Sequence, residues 1–301
     1  MEQQNDALIP VNSVQQFGGD WTAEKLHRVR KYLVAYATIM RNQQFRFAYI
    51  DAFAGTGYNT PKARREETPS FPELSGGDAA RFKDGSARIA LKVEPRFTKY
   101  LFIEKDPKRA AELNKLKEEF PSLASDIVIV NADSNAYLRD LCDNRRWERN
   151  RAVLFLDPFG MQVNWETMKA IAKTKAIDLW ILFPLGVGVN RLLRRDARIS
   201  EGWQRRLDDF FGTRDWREAF YESKAEPSLF GMESKTEKIT DFGGIACYFV
   251  KRLETIFPGV AKNPLALHNS ANTPLYLLCF AAGNERGAKI AVKIAQDILK
   301  P

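Results

Sequence analysis

Histidine and cysteine are scarce in this chain of 301 residues: His27 and His268 are the two histidines, and Cys142, Cys247 and Cys279 the three cysteines. None of these lies near another in sequence. No CxxC, HExxH or HxE spacing occurs, which argues against a metal site. A Ser-His-Asp hydrolase lacks its GxSxG elbow. Three dispersed cysteines do not make the disulfide framework of a secreted domain. The N-terminal Met1-Glu-Gln-Gln-Asn-Asp has no basic stretch before an apolar core, so it does not read as a signal peptide. The longest apolar run, Leu179 to Val189, is broken by Pro184, Gly186 and Gly188 and falls short of the roughly 18 residues of a membrane span. The expectation is a soluble, cytoplasmic protein with no membrane partner.

What is present is ordinary for a globular chain, 45% hydrophobic and 28% charged. The net charge of +8 favours a polyanionic partner such as nucleic acid, with plain solubility as the alternative. Apolar periodicity alternates strand and helix along most of the length. Thr22 is placed to cap a helix striped by Leu26, Val29, Leu33, Tyr36 and Met40. Strands are expected at Phe45 to Ala54, Tyr100 to Ile103, Ile127 to Val130, Ala152 to Leu156, Ile177 to Phe183 and Leu275 to Phe280. Helices are expected from Ser86, a candidate cap, from Lys108 to Phe120 behind an Asp106 cap and Pro107, through Leu138 and Leu141, and from Ala288 to Leu299. This alternation predicts one α/β domain: a Rossmann-like, mostly parallel sheet with helices on both faces. Residues 58–84 lack a period and read as a long loop, and 190–245 as a helical insertion.

Ligands of such sheets bind beyond the carboxyl ends of the strands. The first strand ends in Asp51-x-Phe53-x-Gly55-x-Gly57, with glycines that allow a tight turn and close approach of a ligand. Position 60 is Thr, so the turn is not a nicotinamide-binding GxGxxG, and Asp51 suits a ligand carrying an ammonium group. After the second strand, Glu104 is placed to take both hydroxyls of a ribose. After the third comes Asp133-Ser134, where an acid can accept from an adenine amino group; after the fourth comes Asp157-Pro158-Phe159-Gly160. Acid-bearing turns at four successive strand ends are far less expected by chance than any one of them.

In this order the motifs resemble the class I S-adenosyl-L-methionine-dependent methyltransferases. By that resemblance Asp51, Gly55 and Gly57 hold the methionine part of the cofactor, with Phe53, Ala54 and Thr56 in the same turn. Glu104, beside Lys105, binds the ribose, and Asp133 with Ser134 the adenine. Asp157-Pro158-Phe159 looks like the catalytic motif of enzymes that methylate exocyclic amines of bases. There the Asp carboxylate and the Pro carbonyl accept hydrogen bonds from the target NH2 and aim its lone pair. The usual form is Asp/Asn-Pro-Pro-Tyr/Phe; here Phe159 stands for the second Pro and Gly160 for the aromatic residue that stacks on a flipped base. The variant is similar to that of tRNA guanine-N2 methyltransferases.

A closer resemblance spans nearly the whole chain. Trp21-Thr-Ala-Glu-Lys-Leu, Tyr49 to Gly57, Gly85-Ser-Ala-Arg-Ile-Ala-Leu, Phe102-Ile-Glu-Lys-Asp-Pro, Phe155-Leu-Asp-Pro-Phe-Gly, Trp165-Glu-Thr, Asp178 to Arg191 and Thr273-Pro-Leu-Tyr together look like the three-Cys-motif partner protein family. This resemblance implies a neighbouring three-Cys-motif protein of the radical-S-adenosylmethionine kind. For substrate contact, Arg191, Arg194, Arg195 and Arg198 would share one face of a helix and suit phosphates. Phe183, at the tip of the fifth strand, is placed to shape the target pocket. The 58–84 loop adds Lys62, Arg64, Arg65, Arg81 and Lys83, and a second basic patch gathers Arg145, Arg146, Arg149 and Arg151 around Trp147. The expected activity is methyl transfer to an amine, on RNA or DNA. The alternative is a non-catalytic subunit that keeps the fold to bind the radical enzyme.

Overall fold

The computed structural model describes residues 21–56, 85–228 and 231–300. Gly57, Thr60 and the cations expected in the 58–84 loop lie outside the described residues. Five parallel strands form the centre of one sheet: β1 (Arg46–Asp51), β2 (Lys99–Glu104), β3 (Ile127–Asn131), β4 (Asn150–Leu156) and β5 (Ile177–Phe183). Next to β5 runs β10 (Pro274–Ala282), antiparallel, carrying β8 (Gly259–Val260) and β9 (Leu265–His268) on its other side. The order is β3-β2-β1-β4-β5-β10-β8. This is the expected Rossmann-like α/β fold, with the reversal of strand order falling between β1 and β4.

The sheet is a near-continuous apolar block because both faces are covered; every residue of β5 is buried. One face packs under α1 (Trp21–Met40), α2 (Ser86–Leu91) and α10 (Ala288–Ile298), with Tyr32 meeting Trp180 and Phe280 at 5.4 and 4.8 Å between ring centroids. The other packs under α5 (Ser134–Asn144), α6 (Trp165–Lys173), α7 (Glu201–Phe211), α8 (Trp216–Phe220) and α9 (Phe242–Glu254), centred on Phe183, Phe210 and Phe249.

Four expectations are corrected. The helix expected over Lys108 to Phe120 is two, α3 (Pro107–Leu113) and α4 (Lys115–Glu119); at the break the Asn114 amide donates to the Ala110 carbonyl at 3.2 Å, a side-chain bond that competes with the helix ladder. Thr22 lies inside α1, which begins at Trp21. Ser86 does not cap its own helix, whose cap position is Gly85; its hydroxyl hydrogen-bonds Asp51. Finally, 190–245 is not all helix: β6 (Tyr221–Ser228) and β7 (Gly231–Lys238) form an antiparallel hairpin between α8 and α9. Its Glu, Lys and Ala are helix formers, yet the two strands are bridged by the Ser223–Thr236 hydroxyl pair (2.8 Å) and the diagonal Glu226–Lys235 ion pair (3.6 Å), with Glu222 opposite Glu237 and Lys224 opposite Lys235.

Candidate functional site

Parallel strands put their carboxyl ends on one edge, and the register places Asp51 beside Phe102 and Phe155, and Glu104 beside Asn131. Above this edge lies a cleft of about 670 Å³ lined by Phe53, Gly55, Glu104, Asp133, Asp157 and Phe159, among others. That volume falls in the roughly 300–1,000 Å³ range of small-ligand sites. The four strand-end motifs therefore converge as the sequence predicts.

On the β1–β2 side, Glu104 is 6% exposed and ties the turn together. Its carboxylate accepts from the Gly55 N–H at 3.0 Å and the Asp106 N–H at 2.9 Å, and pairs with Arg109 at 3.2 Å. Oε1 takes Asp106 and Arg109, while Oε2 takes only Gly55 among the described residues and keeps a second lone-pair direction, so a hydroxyl group of a ligand can still donate to Oε2. Gly55 has φ +62, and none of the described residues lies within 4 Å of where a Cβ would stand. Asp51 differs from its expected role. It is 0% exposed, does not line the cleft, and accepts from Ser86, from Tyr49 Oη at 3.3 Å and from the Phe53 N–H at 3.3 Å. Burial chiefly, with the nearby charge of Asp157, pushes its pKa up to about 6 against these donors. Asp51 is thus the buried anchor of the turn. Ala54 is buried beside it, and Thr56 is half-buried.

On the β3 side, Asp133 caps α5, accepting from the Asn135 and Ala136 N–H groups at 3.1 and 3.2 Å, and pairs with Lys105 at 3.2 Å. The Ala136 N–H first, then Lys105, hold its carboxyl below the usual range. Ser134 lines the cleft, but it is 5% exposed and its hydroxyl donates to the Ala52 carbonyl, so it is committed to the fold.

After β4, the sequence reading missed the partner of Asp157. Lys25, 4% exposed on α1, donates from Nζ to Asp157 Oδ2 and lies 5.2 Å from the Trp21 ring centroid and 5.9 Å from that of Phe155. A signal existed: Lys25 stands four residues before Val29, on the apolar stripe, where a charge needs a partner. Pro158 is buried, Phe159 is 44% exposed, and Gly160 has φ +75, the conformation that turns the chain and presents Phe159 outward. Asn135 braces this turn: its amide donates to the Gln162 carbonyl at 2.7 Å and accepts from the Asn164 N–H at 2.9 Å and the Thr167 hydroxyl at 2.8 Å.

The expected substrate residues are not brought together. Phe183 is 0% exposed and stacks on Phe249 at 4.2 Å, so it belongs to the core. Arg191, Arg194, Arg195 and Arg198 do not share a helix face, because the chain leaves helical geometry after Leu192 and Ala197 takes φ +56. Asp196 drives this: it holds Arg194 by two bonds of 3.0 Å and accepts from the Arg198 N–H at 3.2 Å. None of the four lines the cleft; Arg139 and Arg206 do. In the second patch, Arg151 lies 4.0 Å from the Phe45 ring centroid, at the opposite edge of the sheet. Among the described residues no cluster of His, Cys, Asp and Glu could hold a metal, and no helix is long and apolar enough to cross a membrane.

No protein-family model matches the chain, and no curated protein matches it. Solved structures similar to it include a Legionella pneumophila protein (15% identity over 79% of this chain and 93% of that one, TM-score 0.41). Others are spermidine synthase from Thermotoga maritima (13%, 88% and 60%, TM-score 0.39) and an rRNA methylase from Streptococcus thermophilus (10%, 72% and 97%, TM-score 0.33). These TM-scores are all below 0.5, so the site is read from its own strand order and strand-end acids.

Proposed function

We propose that this protein is an S-adenosyl-L-methionine-dependent methyltransferase acting on an amine of a nucleic-acid base, and that it works beside a three-Cys-motif protein of the radical-S-adenosylmethionine kind. One observation carries the enzymatic reading: Glu104, Asp133 and Asp157, from three successive strand ends, line one cleft. The cofactor fits the donor set. Glu104 Oε2 suits a ribose hydroxyl, Asp133 suits an adenine amino group, and Gly55, which has no side chain, admits close backbone contact. When bound, it supplies a methyl group on a sulfonium.

The chain's own part is positioning. Lys25 uses Asp157 Oδ2, and Oδ1 has no hydrogen-bond partner among the described residues. Oδ1 and the Pro158 carbonyl accept from the two N–H bonds of the target amine, which aims its lone pair at the methyl group. Phe159 walls the acceptor's side. The test is labelled-methyl transfer to RNA, to DNA and to the partner protein, separately and together. Asp157→Ala is expected to lower the rate by about 100-fold or more. Undiminished transfer overturns the assignment of Asp157.

A second reading has an observation of its own. The Lys25 ammonium already sits on Asp157 as a target amine would, which suits a non-catalytic subunit that binds the radical enzyme. Calorimetry separates the two: no S-adenosyl-L-methionine binding at millimolar ligand favours the scaffold.

A further inference from the structure

At the amino ends of β1, β4 and β5, on the edge of the sheet opposite the cleft, a second cavity of about 510 Å³ opens between the end of α1 and the first turns of α10. That volume also suits a small ligand. Its walls are largely aliphatic: Ile39 and Met40 from α1, and Ile290, Ala291 and Ile294 from one face of α10. Ile39 and Ile290 are 43% and 61% exposed, so the mouth presents bare apolar surface to water. The rings in this cavity are occupied on one face. Phe45 carries the Arg151 guanidinium 4.0 Å from its centroid, and Tyr36 stacks on Phe97. Such walls suit an alkyl chain better than a flat ring.

Three polar groups here lack the partners that burial calls for. Tyr36 is 9% exposed and lines the cavity, yet its hydroxyl has no hydrogen-bond partner among the described residues. A buried phenol ordinarily finds one. Arg151 is half-buried and spends Nη1 on the carbonyls of Trp147, Glu148 and Asn150. Its Nε and Nη2 have no partner among the described residues, and together they form an edge that can grip a carboxylate by two bonds. Arg286 is exposed and makes no hydrogen bond or ion pair among the described residues. The one carboxylate lining the cavity, Asp178, already accepts from the Tyr32 hydroxyl and the Gly283 N–H. Two guanidinium groups against one carboxylate leave a single positive charge in surplus.

We propose that this cavity binds an aliphatic carboxylate, with its alkyl chain along Ile39, Met40, Ile290 and Ile294 and its head group held by Arg151, Arg286 and the Tyr36 hydroxyl. A monoanion is favoured over a dianionic phosphate ester because it balances the one surplus charge, and over a cation because the unpaired groups are guanidinium groups. The site is separate from the cleft, and the inference does not rest on the methyltransferase reading.

The test is calorimetric titration of the full chain with decanoate, set against decyl phosphate, decyltrimethylammonium and benzoate. Decanoate is expected to bind at one site per chain, and the other three about tenfold more weakly or less well still. Arg286→Gln removes a charge-assisted bond, and Ile290→Glu places a like charge at the mouth. Both positions are exposed, and each variant should weaken decanoate binding about tenfold or more. Tyr36→Phe removes only the unpartnered hydroxyl and should weaken it roughly 2- to 10-fold. Lys251→Gln, the same loss of charge on α9 at the other face of the sheet, should leave it unchanged. Melting temperatures of the variants guard against misfolding. No decanoate binding at millimolar ligand, equal binding of decyltrimethylammonium, or wild-type affinity in both Arg286→Gln and Ile290→Glu overturns the proposal. Tighter binding of decyl phosphate overturns the carboxylate head, and tighter binding of benzoate overturns the alkyl body.

Discussion

A lysine with 4% of its surface exposed is tolerable only because its charge is matched. Lys25 meets that condition with Asp157, whose side chain keeps 26% of its surface, and with two aromatic rings beside its ammonium. Removing one member of such a pair leaves the other charge poorly solvated. Lys25→Met should therefore cost about 2 kcal/mol, and adding Asp157→Asn should restore most of it, as read from urea unfolding of both variants. A change in Lys25→Met within about 0.5 kcal/mol would show that the pair contributes nothing to stability. Glu104, Asp133 and Asp157 were legible in sequence because each follows a run of strand residues that fixes where its side chain must emerge. Lys25 was not, because its partner lies 132 residues away and only the packing of α1 joins them. Asp51 was found at the right strand end but under the cleft, since strand-end placement does not reveal which side chains fold under it and which face it.

Elements that close on themselves through backbone geometry were legible too: the Asp106–Pro107 start of α3 forms as read, with Asp106 accepting from the Lys108 and Arg109 N–H groups. The arginine segment after β5 was not, because a local aspartate, Asp196, supplied alternative partners that a spacing rule does not weigh. Two glycines separate backbone strain from steric exclusion. Gly160 has φ +75 with none of the described residues within 4 Å of its Cβ position, so Gly160→Ala should cost about 1 kcal/mol, the strain alone. Gly212 ends α7 with φ +66, and its Cβ would stand 2.0 Å from Cδ1 of Trp165. Gly212→Ala should cost about 3 kcal/mol or more, because the buried indole has to move. Denaturant midpoints of the two variants check the order, and equal costs would refute the steric account.

For the whole molecule, two carboxylates link stability to pH. Burial chiefly pushes both Asp51 and Asp178 up to about 6, although Tyr32 donates to Asp178 at 2.7 Å and the Gly283 N–H at 3.1 Å. The folded chain holds these protons to higher pH than the unfolded chain, so the stability they contribute is full below about pH 4 and is lost as pH rises through about 6, roughly 3 kcal/mol each. Asp178→Asn should halve that decline, measured as melting temperature at about pH 4.5 and 6.5; an unchanged decline would show that Asp178 does not titrate there. The fold class was legible throughout, since strand and helix alternate with clear periods, while the β6–β7 hairpin was hidden by its helix-forming composition. The hydrogen bond between Asp51 and Ser86 has a consequence for evolution. The chain departs after β1 and re-enters at α2 beside the point it left, so the two ends of the 57–84 segment are held together by the sheet and by this bond. Loop-closure entropy grows only slowly with length. Natural variants of this chain are thus free to change the number of residues between these two anchor points at little cost to the fold.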